Sequence, residues 1–187
     1  MRFNFSEVSS NVNEVERSFK LHCCSKLRDF VFKYEDLLGK EIWDVLDEEI
    51  QQDPGAFLSA INSYASRKGN LPIYLLIDEY DNFTNTILST YGTEYYQKAT
   101  HGEGFVRGFF NVIKAATTGT GSALQRMFIT GVSPVTMDDV TSGFNIGTNI
   151  TTDPWFNDLV GFSEAELREM LTYYKEQGVL MQTVDET

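Results

Sequence analysis

A continuous apolar run that ends in two adjacent acids constrains the fold of this chain more than any other feature. Residues 73–77 are all apolar or aromatic and follow Pro72, and Asp78 and Glu79 come directly after them. Such a run is typical of a strand that is buried on both faces of a parallel sheet. Ligands of parallel sheets bind beyond the carboxyl ends of the strands. The run therefore predicts a central strand that carries two carboxylates to a ligand-binding edge.

Two further strands are predicted. Residues 2–6 alternate polar with aromatic side chains, and residues 127–130 form a short apolar run that ends in Thr130. Because helical segments separate the three strands, we expect parallel crossovers and an α/β fold. We expect a single domain over residues 1–187, with the α/β core in residues 1–162 and the start of a helical C-terminal extension in residues 163–187.

Helices are predicted from the spacing of apolar residues and from signals at the helix ends. The predicted helical ranges are 12–38, 53–69, 105–116 and a last helix that starts at 163. Their start signals are Asn11 with Glu14, Asp53 with Pro54, and Ser163 with Glu166. Residues 82–104 have no dependable period, so we predict a short helix followed by a mobile loop there.

Charge and cysteine content limit the partners and the compartment. The chain has 15 basic and 27 acidic side chains, and a net charge of -12 repels the phosphates of nucleic acids. Cys23 and Cys24 are adjacent, which suits neither a disulfide nor a metal site. No apolar run reaches the roughly 20 residues that a membrane span needs. We therefore expect a cytoplasmic protein with no direct nucleic-acid or membrane partner, and we assign no chemistry to His22 or His101.

The acids at the end of the central strand have three interpretations. In a P-loop ATPase, Asp78 would hold a hydrated magnesium ion and Glu79 would orient or deprotonate the attacking water. In a metal-dependent hydrolase, Asp81 would join them in a carboxylate cluster. In a protein-interaction module that uses no nucleotide, the acids would only end the strand or cap the next helix. Thr130 favours the ATPase, because many P-loop ATPases have a polar sensor of the γ-phosphate at the corresponding strand end.

Five stretches of the sequence resemble the AAA-ATPase-like family of P-loop proteins, whose members are often joined to a C-terminal nuclease-like region of the PD-(D/E)XK type. These stretches are residues 2–6, 75–81, 104–114, 128–133 and 161–164. The resemblance implies an ASCE-type, three-layer sandwich with a mostly parallel sheet. It also implies a strand order of 2–5, 73–77 and 127–130, and a parent protein that binds ATP and Mg²⁺ and hydrolyses ATP to switch an attached effector.

The chain departs from this family at the phosphate-binding loop. None of its 14 glycines begins a G-x-x-x-x-G-K-(S/T) motif, and Gly39 with Lys40 is followed by the acid Glu41 where a hydroxyl should stand. We therefore expect a partial fold without the phosphate-loop strand, which by itself binds ATP weakly or not at all. The strand over residues 127–130 would have an open edge, and we expect self-association through it.

Overall fold

The computed structural model describes residues 1–69, 71–119, 121–132, 146–157, 159 and 161–179. It divides into two compact units, residues 1–147 and residues 148–187. The strands are Arg2–Asn4 (β1), Ile73–Asp78 (β2) and Leu124–Ile129 (β3). The α-helices are Val15–Lys33 (α1), Glu35–Leu38 (α2), Ile42–Val45 (α3), Pro54–Arg67 (α4), Asn82–Tyr91 (α5), Thr93–Thr100 (α6), Phe105–Thr118 (α7) and Glu164–Glu176 (α8). None of the described helices is long and apolar enough to cross a membrane.

The three strands form one parallel sheet in the order β1, β2, β3. Leu76 of β2 lies opposite Arg2 on one side and opposite Phe128 on the other. The predicted α/β class, the parallel pairing and the strand order are confirmed. Among the described residues β3 pairs with β2 and with no other strand, so self-association through its other edge stays a prediction.

The expectation that β2 is buried on both faces is wrong for the described structure. Ile73, Leu75 and Ile77 are buried, whereas Tyr74 is 57% exposed and Leu76 is 45% exposed. Alternate side chains of a strand point to opposite faces, so the buried and exposed residues define two faces of the sheet. A run of apolar residues indicates that both faces of a strand can be buried, but it does not indicate which helices pack against each face.

The core of the first unit contains a cluster of phenylalanine rings around Phe19 of α1. Phe19 is fully buried, and its ring centroid lies 5.2 Å from that of Phe105, 5.3 Å from Phe5, 5.5 Å from Phe109 and 5.8 Å from Phe83. These distances fall in the range in which aromatic pairs attract each other. The cluster joins α1, α5 and α7 to the turn after β1. The core role predicted for the phenylalanines of α7 is confirmed.

Two of the predicted helix starts are confirmed in atomic detail. The side chain of Asp53 accepts a hydrogen bond from the backbone N–H of Ala56 at 2.6 Å, and Pro54 is the first residue of α4. At the start of α8, Ser163 and Glu166 form a reciprocal capping box. These short polar motifs act over three residues, so the local sequence is enough to place them.

The first predicted helix differs from the observed one at both ends. It begins at Val15 without a side-chain cap, and Asn11 instead accepts a hydrogen bond from the N–H of Asn13 in the preceding turn. Such local side-chain bonds compete with helix formation. The helix is also interrupted after Lys33, although Gly39, at φ 83°, ends α2 where the stop was predicted.

Residues 82–104 form more helix than was predicted. They contain α5 and α6, which are separated by Gly92 at φ 85°. The buried residues Phe83, Ile87 and Tyr96 lie on these helices. Tertiary packing therefore stabilises helices that show little periodicity in the sequence.

We expect His22 to make the stability of the first unit depend on pH. Its side chain is only 7% exposed, its Nδ1 lies 3.5 Å from Glu7 Oε2, and its Nε2 is buried with no hydrogen-bond partner in the described part of the chain. Burial lowers the pKa of His22, and the opposing effect of the Glu7 carboxylate is smaller. The unfolded chain, with an ordinary histidine pKa of about 6.5, therefore binds a proton that the folded chain resists.

We expect the free energy of unfolding to be highest above about pH 7.5, where His22 is neutral in both the folded and the unfolded chain. It should fall as the pH decreases through about 6.5. Urea unfolding at a series of pH values from 8 to 6 measures this dependence. His22→Leu should flatten the slope, and the control His101→Gln should keep it. An unchanged slope in His22→Leu would assign the dependence to other groups.

Candidate functional site

Asp78 and Thr130 lie side by side at the carboxyl edge of the sheet. Asp78 is the last residue of β2, and Thr130 directly follows β3. The hydroxyl Oγ1 of Thr130 donates a hydrogen bond to Oδ1 of Asp78 at 2.6 Å. These residues are 52 positions apart in the sequence, so the parallel register of β2 and β3 brings them together.

The second oxygen of the Asp78 carboxylate is paired with Arg2 of β1. The guanidinium Nη2 of Arg2 lies 3.0 Å from Asp78 Oδ2. The Thr130 hydroxyl, and after it the Arg2 guanidinium, lower the pKa of Asp78, so this carboxylate is ionised at neutral pH. The side chains of Arg2 and Asp78 are 66% and 39% exposed, and solvent screens an ion pair that is so open to it. Arg2 can therefore leave Asp78 at little cost.

Glu79 occupies a backbone conformation that is rare for its residue type. Its φ is 50°, and it is the one non-glycine residue with positive φ among the described residues. The left-handed region costs a residue with a Cβ about 1–2 kcal/mol. The side chain is half-buried, and its Oε2 accepts a hydrogen bond from Nδ2 of Asn82 at 2.8 Å. Backbone strain of this kind is concentrated at functional sites, because the surrounding structure must maintain it.

The loops that follow β2 and β3 are bonded to each other through their backbones. The N–H of Thr130 donates to the carbonyl of Ile77 at 2.8 Å, and the N–H of Tyr80 donates to the carbonyl of Thr130 at 3.1 Å. The buried carboxylate of Asp81 accepts from the N–H of Val132. The backbone of Thr130 is therefore bonded through its N–H to the end of β2 and through its carbonyl to the loop that carries the acids.

Asp78, Glu79 and Asp81 do not form the carboxylate cluster of the hydrolase interpretation. Asp81 is 1% exposed and is bonded to Val132 and Asn85, and within the described residues no group of three or more His, Cys, Asp or Glu side chains is placed to hold a metal. Asp78 is instead an ionised carboxylate that solvent reaches. This fits Mg²⁺, which keeps several waters and often takes one or two carboxylates together with phosphate oxygens.

The sequence predicted neither the structural role of the buried Asp81 carboxylate nor the pairing of Asp78 with Arg2. The sequence shows that Asp81 comes three residues after Asp78, but nothing in it predicts that the carboxylate is buried. A carboxylate just before a helix is usually read as an N-cap, and here the Asp81 side chain makes no cap hydrogen bond to α5. The available signal in the sequence was Gly131 in the loop after β3, because a glycine permits the close approach of another segment of the chain.

A parallel α/β sheet with an ionised carboxylate at one strand end and a hydroxyl at the next defines an α/β protein with polar side chains at the edge where ligands of such sheets bind. The chain belongs to the AAA-ATPase-like family, whose model, described as a predicted AAA-ATPase, matches residues 1–141. No curated protein and no solved structure matches the chain.

The family that the sequence motifs indicated is therefore confirmed. The matched range contains all three strands and the residues Asp78, Glu79 and Thr130. The roles assigned to these three side chains, and the C-terminal nuclease-like region, stay predictions.

Proposed function

We propose that this chain forms the magnesium- and water-handling part of an ATP-hydrolysing site. The observation that supports the proposal most is the 2.6 Å hydrogen bond between Thr130 and Asp78, which joins the carboxyl ends of two adjacent parallel strands. This is the edge at which ligands of such sheets bind, and the family match covers both residues. In this proposal Asp78 holds the hydrated magnesium ion, Glu79 acts on the attacking water, and Thr130 senses the γ-phosphate.

The state of Asp78 supports its role. Its carboxylate is ionised and 39% exposed, and the Arg2 that neutralises it is mostly in solvent, so a magnesium ion with its water shell can replace the guanidinium. A magnesium ion held by Asp78 would neutralise charge that develops on the phosphates during phosphoryl transfer. Thr130 keeps Asp78 Oδ1 in place, and its hydroxyl can turn to a phosphate oxygen.

Glu79 is suited to act on water because it follows Asp78 directly in the chain but its carboxylate has a different hydrogen-bond partner. The left-handed turn at φ 50° changes the direction of the chain directly after β2. The Asn82 amide holds one carboxylate oxygen, and the other oxygen remains to accept a proton or a hydrogen bond from water. A general base must be within hydrogen-bond reach of the proton that it removes.

We further propose that a phosphate-binding loop outside residues 1–187 completes the site. The sequence has no G-x-x-x-x-G-K-(S/T) motif, and among the described residues the outer side of β3 has no strand partner. A strand that carries the loop can pair there, next to Thr130. The complete protein would then bind and hydrolyse ATP and use the cycle to switch an attached effector.

Calorimetry with ATP and Mg²⁺ tests this division of the site. Residues 1–187 alone should show no saturable binding at micromolar ATP, because the loop would supply both the backbone N–H groups and the lysine that contact the phosphates. A longer form that contains the loop should bind ATP, and Asp78→Asn should weaken the magnesium-dependent part of that binding. The helix-cap variant Asp53→Asn is the matched control and should bind normally. Micromolar binding to residues 1–187 alone would contradict the proposal.

Protein binding is a second candidate function, and the uncovered surface of the sheet favours it. Three apolar side chains are exposed on one face of the sheet: Tyr74 by 57%, Leu76 by 45% and Phe128 by 44%. They lie beside the edge of β3 that has no strand partner among the described residues. Strand edges with unpaired N–H and C=O groups can recruit another chain. Light scattering over a concentration series should show a rising average mass, which Phe128→Lys should suppress. A constant monomer mass would contradict self-association.

A further inference from the structure

Asp81 is a buried carboxylate that is not explained by the roles given to Asp78, Glu79 and Thr130. It is 1% exposed, and both of its oxygens lie 3.1 Å from the backbone N of Val132. Its Oδ2 also accepts from Nδ2 of Asn85 at 2.8 Å. A carboxylate is buried at great cost unless hydrogen bonds compensate for the lost water, so these donors are necessary for its position.

The bonding of Asp81 departs from what its place in the sequence suggests. Asp81 is the N-cap residue of α5, where an aspartate side chain usually accepts from the first N–H groups of its own helix. The Asp81 side chain makes no such cap bond, and it reaches across to the loop after β3. Of the N–H groups in the first turn of α5, that of Asn82 donates instead to the carbonyl of Glu79 at 3.1 Å.

The two loops approach each other so closely that residue 131 must be glycine. A Cβ atom on Gly131 would collide with the ring of Tyr80 and would lie 2.7 Å from Asp81 Oδ1. Thr130 precedes this contact and is bonded to Ile77 and to Tyr80 through its backbone. The Asp81 carboxylate therefore anchors the chain at Val132, two residues after Thr130 in the loop that follows β3.

We propose that Asp81 is a positioning residue, which holds the loop after β3 through the Val132 N–H and thereby keeps the Thr130 hydroxyl in contact with Asp78. The importance of this contact for catalysis rests on the proposed function, but the positioning itself does not. An error of about 1 Å in the placement of a catalytic group can reduce a rate by about 100-fold. Asp81 and Val132 both belong to the loops at this edge of the sheet, so their bond forms within the chain itself.

The chemical shift of the Asp78 carboxyl carbon reports the position of the Thr130 hydroxyl. This hydroxyl donates to Asp78 Oδ1 at 2.6 Å. Carbon-detected NMR of the full chain at a fixed neutral pH measures the chemical shift without any nucleotide. Thr130→Val removes the donor directly and sets the full size of the change.

We expect Asp81→Asn to move the chemical shift of the Asp78 carboxyl carbon part of the way to its value in Thr130→Val. We also expect the Val132 amide to exchange with solvent faster, because a neutral amide is a weaker acceptor than a carboxylate. Asp53→Asn, at the cap of α4, is the control and should leave the chemical shift of the Asp78 carboxyl carbon unchanged. If Asp81→Asn lowers stability but leaves this chemical shift unchanged, Asp81 stabilises the fold only and the proposal is wrong.

A second pair of variants tests the same link without changing a buried charge. Val132 is 89% exposed, so its side chain contributes little to packing. Val132→Pro removes the N–H that Asp81 accepts, whereas Val132→Ala keeps it. Val132→Pro should change the chemical shift of the Asp78 carboxyl carbon and Val132→Ala should not, and equal chemical shifts in the two variants would overturn the proposal. Because no ATP is used, these results are independent of whether the chain belongs to an ATP-hydrolysing site.

Discussion

Replacing Glu79 with glutamine is expected to slow ATP hydrolysis by about 10²- to 10⁴-fold in a form of the protein that contains the phosphate-binding loop. The amide keeps the size of the side chain and can still accept the hydrogen bond from Asn82, but it cannot take a proton from water. ATP affinity should change little, because Glu79 is not assigned a contact with the phosphates. Steady-state phosphate release gives the rate, and calorimetry gives the affinity.

Two further variants separate the chemistry of Glu79 from general effects of charge and backbone strain. Glu94→Gln removes a carboxylate of α6 that is paired with Lys98 at the surface, and it should leave hydrolysis unchanged. Glu79→Gly removes the carboxylate and also the cost of φ 50°, so it should abolish turnover without loss of stability. If Glu79→Gln hydrolysed ATP at the original rate, the role assigned to this carboxylate would be wrong.

Replacing Phe19 with alanine is expected to lower the free energy of unfolding by about 3–5 kcal/mol. Phe19 is fully buried, and its ring contacts four other phenylalanine rings from three separate parts of the first unit. Truncation removes the buried apolar area and leaves a cavity that rings held by different helices cannot fill. Urea unfolding followed by fluorescence and circular dichroism measures the change.

Phe32 provides the matched control for Phe19 because it lies on the same helix. Its side chain is 60% exposed, and its ring packs on Trp43 with the centroids 4.6 Å apart. Phe32→Ala should therefore cost much less, about 1 kcal/mol. Equal losses from the two substitutions would show that the rings around Phe19 do not form the principal core of the unit.

The sequence alone predicts which strand ends carry the polar residues of the candidate site. The ends of β2 and β3 were placed at the acids and at Thr130, and β2 was located to within one residue. These predictions depended on apolar runs and on the polar residues that end them, which are local properties of the chain. The family resemblance added the order of the strands, which the pairing of β1, β2 and β3 confirms.

The arrangement within the site could not be predicted in the same way. The hydrogen bond from Thr130 to Asp78 spans 52 residues, and the ion pair from Arg2 to Asp78 spans 76. Both contacts depend on the register between strands, and a shift of one residue would move each side chain to the other face. The burial of Asp81 depends in addition on how closely the glycine of the β3 loop approaches Tyr80.

The sequence by itself determined the class of fold, the strands, the helix caps at Asp53 and Ser163, and the family. Each follows from neighbours within a few positions or from motifs read in order along the chain. Only the tertiary structure decided which face of β2 is covered, that Asp78 is paired with Arg2 and Thr130, and that the Asp81 side chain bonds to Val132 and not to the backbone N–H groups at the start of its own helix. The physical reason is that burial and hydrogen bonding depend on residues distant in sequence, whose positions are set only when the sheet and the helices pack together.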